Sequence, residues 1–296
     1  MTAAEIAAAL GAARRSRGWW SCRCPAHDDR SPSLSLRDGD RGLIVYCWAG
    51  CDARDVLSEL RRMGLLAGRS DGSGPAPAAL RSDDRTDTAR RIALAQRIRN
   101  AAKDARGTPA ERYLASRAIM IPPPSSLRWA PLLRRPDGTT GPAMVARVDR
   151  LDGALVGVLR TWLYRDDAGY WHRRDRASLG PIGGGAVRLA PAAETLMVGE
   201  GIETCLAAMQ AAAQPAWASL STAGMTALRL PAVVRLVIIL TDHDANGAGE
   251  RAARAAAQRW LGESRRVRIA MPPEPGTDMA DVLVGCTCAE MRDAAA

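Results

Sequence analysis

The sequence has no phenylalanine, one lysine and three histidines among its 296 residues. The lysine, Lys103, follows two alanines and precedes an aspartate. A phosphate-binding P-loop needs a Gly-Lys-Ser or Gly-Lys-Thr ending. These 296 residues therefore contain no P-loop ATPase or helicase module.

Long apolar runs are also missing. No stretch approaches the ~20 consecutive apolar residues of a membrane-spanning helix. Residues 1–13 are mildly amphipathic and the first arginines follow them, which is the reverse of a secretory signal. We therefore expect a soluble, cytoplasmic protein with no membrane partner.

The net charge of +9 is unevenly distributed. Residues 1–190 carry 32 Lys and Arg against 20 Asp and Glu, whereas residues 191–296 carry 9 against 12. Arginine-rich codon usage explains why arginine replaces lysine, but it does not explain a regional excess. The asymmetry favours a polyanion that lies along the first part of the chain.

The seven cysteines are an odd number, which favours metal ligation over a disulfide framework. Segments 33–36 and 43–46 lie on either side of an Asp-Gly turn. Polar and apolar residues alternate in the first segment and the second is continuously apolar, so together they predict a β-hairpin. This hairpin would join two ligand pairs into one closed tetrahedral zinc site. The predicted zinc ligands are Cys24, His27, Cys47 and Cys51. Cys22 is an alternative to Cys24, although Pro25 favours Cys24.

Two apolar runs of strand length, 196–198 and 233–240, each end in an acidic turn that precedes a helix. The turns contain Glu200 between two glycines, and Asp242 with Asp244. Ligands of open α/β sheets bind at such strand ends, and three carboxylates there would repel one another without a divalent cation. The pattern predicts a magnesium site if the two strands are neighbours. Taken singly, Asp244 is also compatible with an ordinary helix cap or turn.

The middle of the chain is predicted to be a tether followed by a basic domain. Residues 69–87 are polar and begin with a Gly-, Ser- and Pro-rich stretch, which is typical of a flexible linker. Helical periodicity follows over 88–106, and Thr108 with Pro109 predicts the start of a second helix. Strands are then expected, among them 143–148 and 155–163. Residues 86–190 carry 19 Lys and Arg against 9 Asp and Glu.

The N-terminal motif resembles the zinc-binding domain of bacterial and phage primases. It consists of Cys-Pro-Ala-His at 24–27, Ser-Pro-Ser-Leu at 31–34, a hairpin, and the pair Cys47 and Cys51. In that family the zinc ribbon engages the single-stranded template. The resemblance implies that aromatic side chains here could stack on bases: Trp19, Trp20, Tyr46 and Trp48. The same side chains are equally compatible with the core of the small domain, which is the interpretation we favour for Tyr46.

The C-terminal motifs are similar to the Toprim domain of primases, topoisomerases and some nucleases. Besides the two acidic turns, residues 276–281 resemble the Gly-Lys-Asp-x-Asn-Asp segment of phage and plasmid primases. Thr277 replaces its lysine and Ala280 replaces its asparagine, and Asp278 is retained. In its order of domains the chain resembles this primase group, which is found in mobile elements.

The resemblance implies a multidomain α+β protein. Its expected parts are a zinc ribbon (1–68), a linker (69–87), a basic α+β part of the primase core (88–190) and an α/β Toprim domain (191–296). Asp242, Asp244 and Asp278 would hold one or two Mg2+, with Mn2+ as an alternative. Glu200 would complete the coordination or accept the proton of the attacking 3′-hydroxyl. One Zn2+ would be structural.

The implied activity is RNA primer synthesis on single-stranded DNA from nucleoside triphosphates, with a separate replicative helicase as partner. The residues expected to contact template or nucleotide are Arg147, Arg160, Arg173, Arg174, Arg188 and Trp48. For any single arginine, a solvated basic face is equally compatible. Two rival functions are a non-catalytic zinc-finger and Toprim recombination mediator, which typically lacks the full acidic set, and a Toprim nuclease.

Overall fold

In a computed structural model, the chain divides into two compact units, residues 1–79 and residues 80–296. The structure describes residues 1–16, 18–27, 29, 32–39, 42–47, 51, 53–66, 82–241 and 248–271. Four predicted site residues, Trp48, Asp242, Asp244 and Asp278, lie outside the described residues. Within the described part, no helix combines the length and apolar character needed to cross a bilayer.

The first unit is a four-stranded antiparallel sheet with a helix before it and a helix after it. Its elements are α1 (Ala3–Leu10), β1 (Arg14–Ser16), β2 (Trp19–Cys22), β3 (Leu34–Gly39), β4 (Gly42–Cys47) and α2 (Ala53–Arg62). Thr2 and Glu5 form a capping box that starts α1, because each side chain accepts the other's backbone N–H. Ile6, Leu34 and Leu60 are fully buried in the core of this unit.

The predicted hairpin is formed by β3 and β4, which pair from Leu34 opposite Cys47 to Gly39 opposite Gly42. Leu34 and Leu36 point into the core, so the alternation seen in the sequence has its expected physical cause. Strands β1 and β2 were not predicted, because their segments lack a clear alternation of apolar and polar residues.

The second unit begins with a helix and a five-stranded antiparallel sheet in the order β5-β6-β7-β8-β9. The elements are α3 (Ser82–Ala101), β5 (Lys103–Asp104), α4 (Pro109–Ala115), β6 (Leu127–Arg134), β7 (Thr140–Asp149), β8 (Leu155–Arg165) and β9 (Trp171–Leu179). Helix α3 starts six residues before the predicted helix and ends at Ala101, because β5 follows it. The predicted N-cap of α4 forms, since Thr108 Oγ1 accepts the N–H of Ala110 at 3.2 Å.

The second sheet of this unit has the order β10-β12-β11-β13-β14. Its elements are β10 (Val187–Arg188), β11 (Thr195–Gly199), α5 (Ile202–Ala212), β12 (Ala216–Ala218), α6 (Thr222–Ala227), β13 (Leu236–Leu240), α7 (Ala248–Gly262) and β14 (Arg266–Ala270). Strands β11 to β14 pair in parallel, and β10 is antiparallel at one edge.

Strand β11 is buried on both faces, which explains its continuous apolar sequence. Met197 packs into the core that also contains α5 and the adjacent face of the five-stranded antiparallel sheet. Leu196 and Val198 pack into a second core with Trp217 and Trp260. The central strands are therefore fixed by side chains on both sides, and their carboxyl ends have defined positions.

Candidate metal centres

Four side chains of the first unit form a compact cluster suited to one metal ion. The ligand atoms of Cys24, His27, Cys47 and Cys51 all lie within 4.8 Å of one another. His27 Nδ1 lies 3.1 Å from Cys51 Sγ and 3.9 Å from Cys47 Sγ. Three thiolates and one imidazole are a ligand set of structural tetrahedral zinc sites. The predicted ligands are therefore brought together, and they fit Zn2+.

The other ring nitrogen of His27 faces a polar support. His27 Nε2 lies 3.4 Å from Ser33 Oγ and 3.7 Å from Asp29 Oδ1. Asp29 Oδ2 accepts hydrogen bonds from the N–H of Cys24 at 2.7 Å and from Ser33 Oγ at 2.7 Å. Such partners orient a metal-binding histidine with Nδ1 toward the ion. Neither Asp29 nor Ser33 was predicted from the sequence as part of this centre, although both lie within six residues of the histidine.

The electrostatics of the cluster favour a cation. Hydrogen bonds to Cys24 and Cys47 raise the pKa of His27 to about 10. Hydrogen bonds from Cys24 and Cys51 lower the pKa of the Cys47 thiol. Hydrogen bonds to Cys24 and Cys47 also raise the pKa of the Cys51 thiol, so the negative charge of the metal-free cluster lies on Cys47. Zinc binds cysteine as the thiolate, so a bound ion would displace the remaining protons of the cluster.

Cys22 is not part of this cluster. It lies on β2 opposite Leu34, fully buried in the core of the unit. Burial raises the pKa of its thiol to about 12, so Cys22 stays protonated at neutral pH. The choice that the sequence left open between Cys22 and Cys24 is thus settled in favour of Cys24.

The second candidate centre lies where β11 and β13 end. These strands are parallel neighbours, with Thr195 opposite Leu236 and Val198 opposite Ile239. The condition for the predicted magnesium site, that its two strands be adjacent, is met. Glu200 follows the end of β11 and is half-buried, and buried Thr241 follows the end of β13. The convergence of Glu200 with the aspartates that come after Thr241 stays a prediction.

The turn that carries Glu200 leaves little room for a side chain on either side of that residue. A Cβ at Gly199 would lie 3.0 Å from Cys205 Sγ, and one at Gly201 would lie 2.9 Å from Thr204 Oγ1. Real Cβ atoms essentially never come as close as the second distance, and the first is tighter than nine in ten real Cβ contacts. The glycines around Glu200 therefore serve close packing of α5 onto the strand.

The backbone on both sides of this turn is held by the segment after β12. Ser219 donates to the Gly199 carbonyl from its N–H at 2.8 Å and from its Oγ at 3.0 Å. The Leu220 N–H donates to the Glu200 carbonyl at 3.0 Å. Leu220 adopts a φ of +70°, a left-handed conformation that is costly for a bulky side chain. Backbone strain of this kind is common at functional sites.

Three of the predicted phosphate-binding arginines make internal contacts: Arg188 donates to the Arg150 carbonyl, and the other two, Arg147 and Arg160, lie in the five-stranded antiparallel sheet. Arg147 Nε donates to Asp149 Oδ1 at 2.6 Å, and its NH2 group donates to the Gly153 carbonyl at 3.0 Å. Arg160 donates to the carbonyls of Ala177 and Ser178, and burial lowers its pKa to about 10. Both guanidinium groups therefore contribute to the structure of the five-stranded antiparallel sheet.

The predicted arginines do not share one face of that sheet. Arg147 and Arg160 each come two residues after a valine that is buried under α3, Val145 and Val158 respectively, so they lie on that face. Arg173 pairs with Leu163, whose side chain belongs to the opposite core beside α4 and α5. Two further arginines lie elsewhere. Arg174 is exposed at an irregularity of β9, and Arg188 lies over the Trp217 ring.

Two family models match parts of the chain. Residues 89–189 match a domain of unknown function (DUF7146), and residues 195–287 match the Toprim domain. A search of curated proteins found no match to this chain.

Similar solved structures include primases at low identity. The zinc-binding and RNA polymerase domains of Aquifex aeolicus primase are 16% identical, with a TM-score of 0.44, over 99% of this chain and 82% of that chain. The primase fragment of the bacteriophage T7 primase-helicase protein is 17% identical, with a TM-score of 0.38, over 92% and 98%. A DnaG primase catalytic domain bound to single-stranded DNA is 17% identical, with a TM-score of 0.42, over 71% and 82%.

The sequence prediction of domain types is confirmed. The chain has a zinc-binding Cys3His cluster in its first unit, a mixed α+β middle part and a C-terminal Toprim domain.

Proposed function

We propose that the chain is a DNA primase that synthesises short RNA primers on single-stranded DNA by metal-dependent nucleotidyl transfer. The observation that carries the proposal is the parallel pairing of β11 with β13 inside a Toprim domain. This pairing places the strand end before Glu200 beside the strand end before Asp242. The zinc-binding cluster in the preceding unit adds a module of the kind that primases use on their template.

In the proposed reaction, Glu200, Asp242 and Asp244 hold one or two Mg2+, and Asp278 is a further ligand. Bound Mg2+ would activate the 3′-hydroxyl and stabilise the charge on the transferred phosphate and the leaving pyrophosphate. As an alternative to completing the coordination, Glu200 would accept the proton of the attacking hydroxyl. Oxygen ligands from carboxylates are those that Mg2+ prefers, so this donor set fits the ion.

The template and the nucleotide are polyanions, and the proposal assigns their phosphates to arginines of the middle part. Arg173 and Arg174 are exposed on β9 and are the strongest candidates of the predicted set. Arg147 and Arg160 act mainly in the structure, given their internal contacts. From the resemblance we also propose a separate replicative helicase as partner. The test is whether adding such a helicase stimulates primer synthesis on DNA that must be unwound.

The decisive experiment measures incorporation of labelled nucleoside triphosphates on unprimed single-stranded DNA with Mg2+. We expect primers from the wild type and from Glu263→Gln, an exposed-carboxylate control in the same domain. We expect none from Glu200→Gln or Asp242→Asn, and template binding should be retained or strengthened in both because negative charge is removed. Degraded template would instead identify a nuclease. Template binding by the wild type with neither synthesis nor degradation would identify a recombination mediator.

A further inference from the structure

Helix α5 begins two residues after Glu200, and its first turn is bound to the middle part of the chain. The Tyr113 hydroxyl on α4 donates to Glu203 Oε1 at 2.8 Å. Tyr113 is only 4% exposed. Burial, followed by the charge of Glu203, raises the pKa of Tyr113, so the hydroxyl remains a donor at neutral pH.

A second set of hydrogen bonds holds α5 two turns further along. Gln210 Oε1 accepts the N–H groups of Met120 at 2.5 Å and Ile121 at 3.1 Å. Gln210 Nε2 donates to the Ala118 carbonyl at 2.8 Å. Gln210 comes seven residues after Glu203, so both side chains lie on the same face of the helix. Helix α5 is therefore fixed at both ends to α4 and the segment that follows α4.

The first turns of the helix are also held by packing, because Ile202, Cys205 and Leu206 are buried in the core and the Cys205 thiol donates to the Trp217 carbonyl. The N-cap of the helix is Gly201, and no side chain caps it. The carbonyl groups of Gly199 and Glu200 are held by the segment after β12, but those bonds precede the helix. The direction in which the chain leaves Glu200 is thus set by the packing of α5 and by the bond between Tyr113 and Glu203.

We propose that Tyr113 and Gln210 are positioning residues for the metal site: they hold α5 against the middle part and so orient Glu200 toward the end of β13. The inference rests on the proposed role of Glu200 as a metal ligand. Neither residue touches the reacting atoms. Their role is to fix the helix from which the orientation of the ligand follows, and a ligand that is poorly oriented binds its metal more weakly.

The test uses the full chain with three substitutions that change no charge: Tyr113→Phe, Gln210→Leu and the control Tyr170→Phe, which removes the hydroxyl of an exposed tyrosine. Because charge is conserved, a change in metal affinity cannot come from altered long-range electrostatics. Binding of Mn2+ alone is measured by electron paramagnetic resonance on zinc-loaded protein. Thermal unfolding of each variant is measured beside it to establish that the protein is folded.

We expect the Mn2+ dissociation constant to rise about tenfold in Tyr113→Phe and Gln210→Leu and to stay within twofold of wild type in Tyr170→Phe. In primer synthesis the same two variants should need correspondingly more Mg2+ while their template affinity is unchanged. Folded variants with wild-type Mn2+ affinity would overturn the inference, even if the wild type makes primers. A wild type that binds Mn2+ but makes no primer would overturn the proposed function alone, because the Mn2+ comparison still decides the positioning role. A wild type that binds no Mn2+ would overturn both.

Discussion

Cys22 and Cys24 are two residues apart, yet they differ in chemistry because their surroundings differ. Cys22 is enclosed by apolar side chains, and its raised pKa keeps it a neutral thiol. Cys24 has its backbone N–H bound to Asp29 and its sulfur beside the imidazole and two further sulfurs. Burial among hydrocarbon makes an inert cysteine, whereas neighbouring ligands make a metal-binding one.

This difference predicts the outcome of two matched substitutions. Cys24→Ser should abolish stoichiometric zinc, because a hydroxyl replaces one of four ligands. Cys22→Ala should retain one zinc per chain and destabilise the unit by about 1 kcal/mol through loss of buried volume. Zinc content by atomic emission and urea unfolding measure the two effects. Loss of zinc in Cys22→Ala with the fold intact would contradict the assignment of ligands.

The arginines of the middle part allow a similar comparison. Arg173→Ala should weaken binding of single-stranded DNA roughly fivefold at 0.1 M salt and reduce the slope of log K against log salt by about 0.7. Arg147→Ala should instead lower stability by about 1–3 kcal/mol, because Asp149 loses its ion pair. Fluorescence anisotropy over a salt series measures the first effect, and urea unfolding measures the second. Equal losses of DNA affinity in both variants would refute this division of roles.

At the scale of elements, two helical glycines differ in the space available for a side chain. A Cβ at Gly224 in α6 would lie 2.2 Å from the carbonyl oxygen of Ser219, a backbone atom that cannot move independently. A Cβ at Gly262, the last residue of α7, would meet nothing within 4 Å. Ser219 also holds the Gly199 carbonyl, so crowding at Gly224 is transmitted to the turn that carries Glu200.

Gly224→Ala should therefore destabilise the protein by about 1–3 kcal/mol through overpacking. Gly262→Ala should be neutral or stabilise it by up to about 1 kcal/mol, since alanine is the better helix former. The free energy of unfolding in urea separates the two. In priming assays only Gly224→Ala should lose activity. A neutral Gly224→Ala would show that α6 can shift away from Ser219 at little cost.

The elements also show what a sequence can predict. The zinc ligands were predictable because each pair is local and one β-hairpin joins them. Two similar strand-to-helix patterns indicated the two acidic turns, but the adjacency of β11 and β13 was only a condition of the predicted site, and it is the pairing in the sheet that meets it. The bond between Tyr113 and Glu203 was not predictable, because 90 residues separate its partners and neither stands in a distinctive motif. The ion pair of Arg147 with Asp149 could have been predicted from the sequence, because residues two apart lie on the same face of a strand.

At the scale of the whole molecule, the two units differ in how they can be stable. The first unit has fewer than 80 residues and a small core of its own. Domains of this size usually need a disulfide or a metal in addition to apolar burial. The second unit spans more than 200 residues and has two large cores, one on each face of its Toprim sheet.

Removal of zinc should therefore unfold the first unit selectively. Structural zinc contributes about 10–16 kcal/mol of binding free energy in small zinc-finger peptides, which exceeds the stability of most domains. Differential scanning calorimetry of the full chain should show two transitions with zinc and only that of the second unit after chelation. Cys24→Ser should reproduce the chelated profile with zinc present, and Cys22→Ala should not. If chelation lowered both transitions together, the second unit would depend on the zinc centre for its stability, and the thermodynamic independence of the two units would be refuted.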